Sequence, residues 1–396
     1  MTLDMNASEM SPPEMTTPKM TTPEMTLRGM TWDHPRGLDC LTASNQLLLD
    51  KCGVGVSWQA RSLLAFGDQH ISEFFQGNDL MVIDHPHVPD AVAAGAVIAF
   101  DEIVSDSELA LLRRTSVGAS HDSYNYRGKQ WALALDTAAQ VNAYRADKVD
   151  GAPIFWSDVL EVAKTGRLLW PHKAVDAFST FATLMAQKGK PLAANNIYID
   201  EEMAAEVIDF MIELAAHVPQ LCATSNPIDA AELLANSDDF DIAICLYGYS
   251  NYSRIGFRKN LITYDDVSSF DGRASGSQLG GAGIAISSAS KNVTKSAQVA
   301  MLLSLPHIQS TSYVAGGGQP GNLAAWKSES ANFLTSNFFR NTLRTLERAW
   351  VRPRVLGWPD VQFHSSQLIH QALVERKSTP ALISEISATY QKYIQE

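Results

Sequence analysis

The sequence predicts an α/β protein built on a parallel sheet that is covered by helices on both faces. From about residue 27 onward, segments of strand length alternate with segments in which apolar residues follow the 3.6-residue helical period. Strands that alternate with helices are typical of parallel sheets with two covered faces. At 396 residues, the chain is long enough for two domains and for a large buried core.

The first part of the chain after the leader predicts a regular alternation of strands and helices. Leu38, Leu41, Leu47 and Leu48 give one segment helical spacing, and Gly53 follows it as a stop signal. In order, we expect a strand in LRGMTW, a helix in GLDCLTASNQLLLDKCG, a strand in VGVSWQAR, a helix in HISEFFQG, and strands in DLMVID and GAVIAFDEI.

Longer helices dominate the rest of the predicted structure. WALALD reads as a strand that runs directly into a helix over TAAQVNAYRADKV. Ser157 is the expected N-cap of a helix in FWSDVLEVAKTG, with Asp158 and Glu161 in its first turn. Further helices are expected in AVDAFSTFATLMAQKG, EEMAAEVIDFMIELAAHV, PIDAAELLAN and SAQVAMLLSL, and strands in DIAICLYG and GGAGIAIS. From about Asn332 the chain is predicted to be mostly helical, with a break at VRPRVLGWPD.

Residues 1–26 are expected to form a disordered leader. Met recurs every five residues from Met5 to Met30, a repeat that matches neither the helical nor the strand period, and four prolines interrupt it. The leader lacks the basic front, the apolar stretch and the cleavage site of a secretory signal. The sequence therefore predicts a cytoplasmic protein, or a periplasmic one if the start site is misassigned.

Composition excludes several classes of function. A formal net charge of −12 and the lack of a basic stripe argue against nucleic acid as a partner. No apolar window reaches the eighteen residues that a membrane span needs, so we expect none. The four cysteines are spread singly along the chain, which favours small buried thiols over disulfides, although four cysteines are enough to form two disulfides. They are Cys40, Cys52, Cys222 and Cys245.

The tripeptide Asp-His-Pro occurs twice, and each copy follows a predicted strand. Asp33 and His34 come after the first strand, and Asp84 and His85 come after DLMVI. In such sheets ligands bind beyond the carboxyl ends of the strands. Each proline restricts the histidine before it to extended or turn conformations. We therefore expect both loops to face one crevice.

The order of several segments resembles a known family. These segments are GKQWALALD, NAYRADKV, SDVLEVA, LYGYSNYSR, GIAISSASKN and GGGQPGNLAAW. Together they resemble the sugar- and small-solute-binding branch of the type II periplasmic solute-binding proteins, the extracellular receptors of ABC importers. The resemblance covers the chain from Leu27 to its end. Its most specific parts are WALALD, where the family's chain passes to the second lobe, and GIAISSASKN, where it returns.

The resemblance implies a two-lobed periplasmic-binding-protein type II fold in which a hinged cleft closes on a ligand. Lobe one would comprise about residues 27–134 plus 281–325, and lobe two about 137–280 plus 326–396. VRPRVLGWPDVQ would lie at the mouth of the cleft. The family is exported, whereas this sequence shows no export signal, so the resemblance supports ligand binding more directly than transport.

Candidate site residues are aromatic and polar side chains near strand ends and crossovers. The aromatic rings would stack on a ligand or else belong to the core. Imidazoles and carboxylates of the Asp-His loops could bind a metal, but the spacing of His85 and His87 and the lack of a His/Cys cluster argue against one, and no cofactor is expected. Arg352 and Arg354 could clamp a carboxylate or cover a helix end. The ligand-binding candidates are Trp32, Asp33, His34, Asp84, His85, Trp131, Asp136, Trp170, Tyr247, Tyr249, Gly281 and Arg354.

Two functions remain open from the sequence. In the first, the protein closes its lobes on a small polar or aromatic ligand, with an ABC permease as a partner if it is exported. In the second, a cytoplasmic enzyme reuses the cleft, and His34, His85 and Asp84 transfer a proton on a small acid or an acyl thioester.

Overall fold

A computed structural model of the chain describes residues 25–62, 75–194, 197–378 and 380–394. Nearly all of the predicted leader, and residues 70–74 of the predicted helix HISEFFQG, lie outside these ranges. Within them, VGVSWQAR is a strand over its full length, and Gly53 follows the preceding helix in the left-handed conformation, with φ 68°.

Eleven strands lie in the described ranges. They are β1 Met25–Trp32, β2 Val54–Arg61, β3 Leu80–Ile83, β4 Val97–Ile98, β5 Asn125–Tyr126, β6 Lys129–Gln130, β7 Leu133–Tyr144, β8 Leu168–Leu169, β9 Ile242–Tyr247, β10 Thr263–Asp265 and β11 Leu279–Ser287.

Helices surround these strands. They are α1 Pro35–Ala43, α2 Asn45–Cys52, α3 Val88–Ala93, α4 Asp106–Thr115, α5 Trp156–Ala163, α6 Ala174–Gln187, α7 Glu201–His217, α8 Pro227–Asn236, α9 Val293–Ser304, α10 Pro306–Ile308, α11 Leu323–Lys327, α12 Glu329–Leu334, α13 Phe338–Glu347, α14 Trp358–Glu375 and α15 Pro380–Tyr393. Short 3-10 turns include His85–His87 and Ser250–Ser253.

The strands form a mixed nine-stranded sheet and a separate two-stranded hairpin. The order along the large sheet is β2-β1-β3-β11-β7-β9-β8, with β4 beside β11 and β10 beside β7. β1 runs parallel to both β2 and β3, so the two Asp-His-Pro loops leave neighbouring strands at the same edge. β11 and β7 run antiparallel to their neighbours in the large sheet.

Strand β7 contributes to the main hydrophobic core of each lobe, and its Ala134 belongs to a third, smaller one. Leu133 and Leu135 pack with β1, β3 and α9 in the first core, whereas Val141 and Ala143 pack with α6, α8 and α14 in the second. β11 pairs with β7 on one side and with β3 on the other. Each main core defines one lobe, and β7 and β11 cross between the lobes. The predicted two-lobed α/β fold is confirmed, while the residue boundaries of the lobes stay predictions.

The helix predicted after WALALD is wrong, because the strand continues to Tyr144. All twelve residues of β7 are buried, so its two faces show no polar alternation that would mark a strand. Two of its polar side chains, Gln140 and Asn142, are hydrogen-bonded inside the protein. Gln140 Nε2 donates to the carbonyl of Cys245 at 2.9 Å, and Asn142 Nδ2 donates to Ser268 Oγ at 2.7 Å.

Smaller differences concern element ends. In GAVIAFDEI, the strand covers only Val97–Ile98 before a 3-10 turn begins at Phe100. Helix α5 begins at Trp156, with Phe155 as its N-cap, so Ser157 lies inside the helix instead of capping it. All four cysteines carry free thiols, as expected. No helix in the described ranges combines the length and the apolarity that crossing a bilayer requires.

Candidate functional site

A cleft between the two lobes contains a cavity of about 230 Å³. Its floor is made by the crossing strands, with Asp136 and Ala138 from β7 and Gly280–Ala282 around the start of β11. Lobe one contributes residues that follow β1 and β3. Lobe two contributes the first turns of α6 and α8, the end of β9, and the segment that leads into α14. These residues include Trp32, Arg36, Asp84, Pro86, His87, Lys173, Asp176, Ser179, Asn226, Tyr247, Tyr249, Gln278, Arg352 and Gln362.

Arg36 joins the two lobes at the floor of the cavity. Its Nε donates to Asp136 Oδ2 at 2.8 Å, and its Nη2 donates to Asp136 Oδ1, which makes a two-point ion pair. Its Nη1 donates to the carbonyl of Gly248 at 2.9 Å, and the guanidinium lies 4.7 Å from the centre of the Tyr249 ring. Burial raises the pKa of the Asp136 carboxyl, and the Arg36 guanidinium beside it counters that effect.

Asp84 and Arg352 form a second ion pair at the cavity. Asp84 Oδ1 accepts from the backbone N–H of His85 at 2.8 Å, which fixes the carboxylate at the start of the 3-10 turn. Asp84 Oδ2 accepts from Arg352 Nη2 at 2.6 Å. Burial, the largest single effect, disfavours the charged carboxylate, but the Arg352 guanidinium and the neighbouring His85 and His87 together outweigh it and lower the pKa of Asp84. Both cavity-lining arginines are therefore engaged by carboxylates.

Gln278 organises the polar side chains next to Tyr247. Its Nε2 donates to the Tyr247 hydroxyl at 2.8 Å and to Ser179 Oγ at 3.0 Å. Its backbone N–H donates to Thr183 Oγ1 at 3.0 Å. Gln278 is 1% exposed, and its Oε1 has no hydrogen-bond partner among the described residues. A buried amide oxygen without a partner is rare in folded proteins, so Gln278 Oε1 is an unused acceptor on a residue that lines the cavity.

Aromatic rings at the cavity are backed by glycines. A Cβ at Gly37 would lie 2.3 Å from the Trp32 ring, and one at Gly280 would lie 2.7 Å from the Tyr247 ring. Only glycine lets the backbone approach these rings so closely. Tyr249 is 6% exposed, and burial raises the pKa of its hydroxyl to about 12, so the group stays protonated. The cavity therefore offers both ring surfaces and hydrogen-bonding groups.

The structure places six of the predicted site residues at the cavity. They are Trp32, Asp84, Asp136, Tyr247, Tyr249 and Gly281. Gly281 has φ 120°, and a Cβ there would lie 2.5 Å from the carbonyl oxygen of Asp136. The glycine thus allows β11 to pass close to β7 at the floor.

The other six predicted residues are not among those that line the cavity. The core contains Trp170, which stacks on His172 with ring centres 4.6 Å apart. Trp131 Nε1 donates to the carbonyl of Tyr126 at 2.9 Å, Arg354 Nε donates to the carbonyl of Asn125 at 3.0 Å, and Asp33 is exposed.

The two histidines of the Asp-His-Pro loops have structural contacts of their own. His34 Nδ1 accepts from the backbone N–H of Arg36 at 3.0 Å, which caps α1, and its ring lies 4.7 Å from that of Tyr249. His85 is buried with its ring 6.1 Å from that of Tyr124. Burial lowers the pKa of both imidazoles to about 4, so both are neutral at pH 7. These positions give the proton-transfer alternative no support.

Sequence reasoning missed Arg36, Asp176 and Gln278 as cavity residues. Arg36 directly follows the first Asp-His-Pro tripeptide, but its role and that of Gln278 depend on partners about 100 residues away, Asp136 for Arg36 and Ser179 for Gln278. The VRPR segment did carry a signal, but Arg352 lines the cavity instead of Arg354. In the portion of the chain that the structure describes, no three His, Cys, Asp or Glu side chains are grouped so as to hold a metal ion.

Comparison with known proteins identifies the fold. No family model matches the sequence, and no curated protein matches it either. Among solved structures, maltose-bound MalE3 of T. maritima shares 16% identity over 93% of this chain and 99% of its own, with a TM-score of 0.78. A solute-binding protein of Agrobacterium radiobacter K84 in complex with ribitol shares 15% identity over 93% and 99%, with a TM-score of 0.76.

A third solved structure extends the likeness. The GacH receptor of Streptomyces glaucescens, solved unliganded and with acarbose, shares 14% identity over 93% of this chain and 98% of its own, with a TM-score of 0.76. In all three, nearly the whole of the known protein is matched, so the likeness extends over both lobes. The chain therefore has the two-lobed α/β fold of the type II periplasmic binding proteins.

Proposed function

We propose that this chain is a solute-binding protein that holds a small sugar or polyol in the cavity between its lobes. One observation carries the proposal: both lobes and both crossing strands contribute side chains to a single cavity, which combines aromatic rings with buried hydrogen-bonding groups. A sugar has the complementary surface, with C–H groups on its faces and hydroxyls around its edge. Ring surfaces and a few well-placed polar groups are what small-molecule sites in proteins use.

The size of the cavity limits the ligand. Its volume of about 230 Å³ lies below the range of about 300–1,000 Å³ that is usual for drug-sized ligands. We therefore expect one or two sugar rings, or an open-chain polyol. The three structural neighbours support this class, because they were solved with maltose, ribitol and acarbose.

Binding between two hinged lobes couples the presence of the ligand to a change in the conformation of the protein. A ligand that contacts both sides of the cleft favours the closed arrangement over the open one, and a partner can recognise the closed form. If the protein is exported, that partner would be an ABC permease. The cytoplasmic location expected from the leader stays a prediction, and the proposed binding reaction is the same in either compartment.

Calorimetric titration with maltose, glucose and ribitol tests the proposal. We expect at least one of the three to bind with one site per chain and to raise the melting temperature. Tyr249→Leu removes a ring at the cavity and should weaken binding at least tenfold, whereas Tyr126→Leu removes a ring from the β5–β6 hairpin, away from the cavity. The second variant should bind like the wild type.

Two results would count against the proposal. If none of the three compounds binds, the proposed ligand class is wrong. If a compound binds but is recovered chemically changed after incubation, the chain is an enzyme. Circular dichroism of both tyrosine variants distinguishes lost binding from lost folding.

A further inference from the structure

The charges that line the cavity balance one another. Three carboxylates, Asp84, Asp136 and Asp176, face three cationic side chains, Arg36, Lys173 and Arg352. Four of these six groups form the two ion pairs described above, Arg36 with Asp136 and Arg352 with Asp84. At these four groups a charged ligand would have to compete with a partner that is already in place, and burying an additional charge there is costly.

The helix ends at the cavity are also already neutralised. At the start of α8, Asn226 Oδ1 accepts from the backbone N–H groups of Ile228 and Asp229, and Asp229 Oδ2 accepts from the N–H of Asn226. The first turn of α6 carries the buried carboxylate of Asp176. A helix N-terminus attracts anions through free N–H groups and its dipole. At α8 the Asn226 side chain occupies two of these N–H groups, and at α6, which has no side-chain cap, the carboxylate of Asp176 opposes the dipole.

Gln278 and Arg352 line the cavity, are buried, and each carry a polar atom that has no hydrogen-bond partner among the described residues. These atoms are the acceptor Gln278 Oε1 and the donor Arg352 Nε. The backbone pairs the two segments that carry them, because the N–H of Leu279 donates to the carbonyl of Trp350 and the N–H of Trp350 donates to the carbonyl of Ser277, each at 2.7 Å.

The unused atoms of these two side chains define a chemical requirement. The Nη2 of Arg352 is held by Asp84, and the Nε2 of Gln278 is held by Tyr247 and Ser179. Arg352 Nη1 also donates to Gln362 Oε1 at 3.4 Å, so the side-chain atoms left without any partner are the donor Nε of Arg352 and the acceptor Oε1 of Gln278. A hydroxyl group can satisfy both, since it donates through its hydrogen and accepts through its lone pairs. A carboxylate has no hydrogen for Gln278 Oε1, and an ammonium group has no lone pair for Arg352 Nε.

We infer that Gln278 and Arg352 form a specificity subsite that selects an uncharged hydroxyl of the ligand and rejects a carboxylate or an ammonium group at the same place. The inference deepens the proposed function and rests on it. The protein then discriminates neutral sugars and polyols from their acidic and amino counterparts. The rejection comes mainly from leaving a buried group unpaired.

Titration of matched ligands tests the subsite. Glucose is compared with glucuronate and glucosamine, maltose with maltobionate, and ribitol with ribonate. For each neutral compound that binds, we expect its charged counterparts to bind at least twentyfold more weakly. Charged counterparts that bind as tightly as the neutral compound would overturn the subsite and leave the sugar-binding function standing. Failure of every compound to bind would overturn both.

Gln278→Glu tests the assignment to this residue. The substitution keeps the shape, removes the Nε2 donor and adds a negative charge, so the neutral ligand should lose at least tenfold in affinity. The affinity ratio of glucosamine to glucose, or of ribitylamine to ribitol, should rise, and this ratio does not depend on how much of the variant is folded. Gln367→Glu makes the same change at an exposed position of α14 and should leave affinity and ratio unchanged. An unchanged ratio in Gln278→Glu would remove Gln278 from the subsite.

Discussion

Arg352 Nη2 donates to Asp84 Oδ2 at 2.6 Å across the cleft, although the two residues are 268 positions apart in the chain. Asp84 directly follows β3 in lobe one, and Arg352 precedes α14, whose Trp358 and Val361 belong to the core of lobe two. The Arg352 side chain is 5% exposed and that of Asp84 is 16% exposed. The pair therefore ties the lobes together at the wall of the cavity.

Asp84→Asn should lower the free energy of unfolding by about 2–4 kcal/mol, because it leaves the buried guanidinium of Arg352 without its counter-charge. Asparagine can still accept from the backbone N–H of His85, so the 3-10 turn keeps its cap. Urea denaturation measures the change. Asp33→Asn is the matched control, since Asp33 is exposed, and it should change stability by less than about 0.5 kcal/mol. Equal effects of the two variants would contradict a stabilising role for the pair.

Acidification should destabilise the protein between about pH 6.5 and pH 4. Burial lowers the pKa of His34, His85, His121 and His172 to about 4, so in this interval the unfolded chain binds protons that the folded chain does not. Stability therefore rises with pH across the interval, by about 1.4 kcal/mol per pH unit for each histidine, and is complete above it. Denaturation curves at pH 4, 5, 6 and 7 measure the slope.

Substitution of one histidine tests this explanation. His85→Gln should reduce the slope of stability against pH by about 1.4 kcal/mol per pH unit, the contribution of one histidine, in the same pH interval. His307→Gln changes an exposed histidine and should leave the slope as it is. A slope that His85→Gln does not alter would mean that His85 contributes nothing to the acid sensitivity.

Arg36→Lys should cost about 1–3 kcal/mol of stability, although the charge is kept. A lysine cannot reproduce the two-point pair with Asp136 together with the bond to the carbonyl of Gly248, and it lacks the planar group that stacks on Tyr249. Ligand affinity should fall as well, since Tyr249 loses a neighbour that positions it. Thermal and urea denaturation give the comparison with Arg113→Lys, whose ion pair with Asp122 is solvent-exposed. That variant should stay within about 0.5 kcal/mol of the wild type.

Gly281→Ala should prevent folding or cost more than about 3 kcal/mol. The residue has φ 120°, and an added Cβ would lie 2.5 Å from the Asp136 carbonyl oxygen and 2.6 Å from the Thr137 Cα. Gly151→Ala is the control, because the Asp265 side chain at 3.9 Å would be the nearest contact of its added Cβ. Yields of soluble protein and melting temperatures distinguish the two. A stable Gly281→Ala protein would show that β11 can move away from β7.

The sequence predicted the layout of lobe one well and the crossing between lobes poorly. VGVSWQAR was assigned correctly as a strand because its alternating pattern begins directly after Gly53, which ends α2. TAAQVNAY misled the prediction, because Thr137, Gln140 and Asn142 are buried on a strand with both faces covered. A strand with one buried face shows alternating apolar and polar residues. A strand that is buried on both faces and contains polar residues lacks this alternation, and its sequence was therefore assigned to a helix.

The candidate site was predictable where a strand end coincided with an aromatic or acidic residue. Trp32, Asp84 and Tyr247 were found in this way, and all three line the cavity. Trp170 met the same criterion but lies in the core. Arg36 and Gln278 could not be found, because what brings them to the cavity is tertiary pairing with residues that are far away in the sequence.

Because β7 supplies side chains to the main hydrophobic cores of both lobes, it is part of both lobes. Loss of either core would strip β7 of its neighbours on that side and weaken the other core at the same time. The two lobes should therefore melt as one cooperative unit, with a single calorimetric transition.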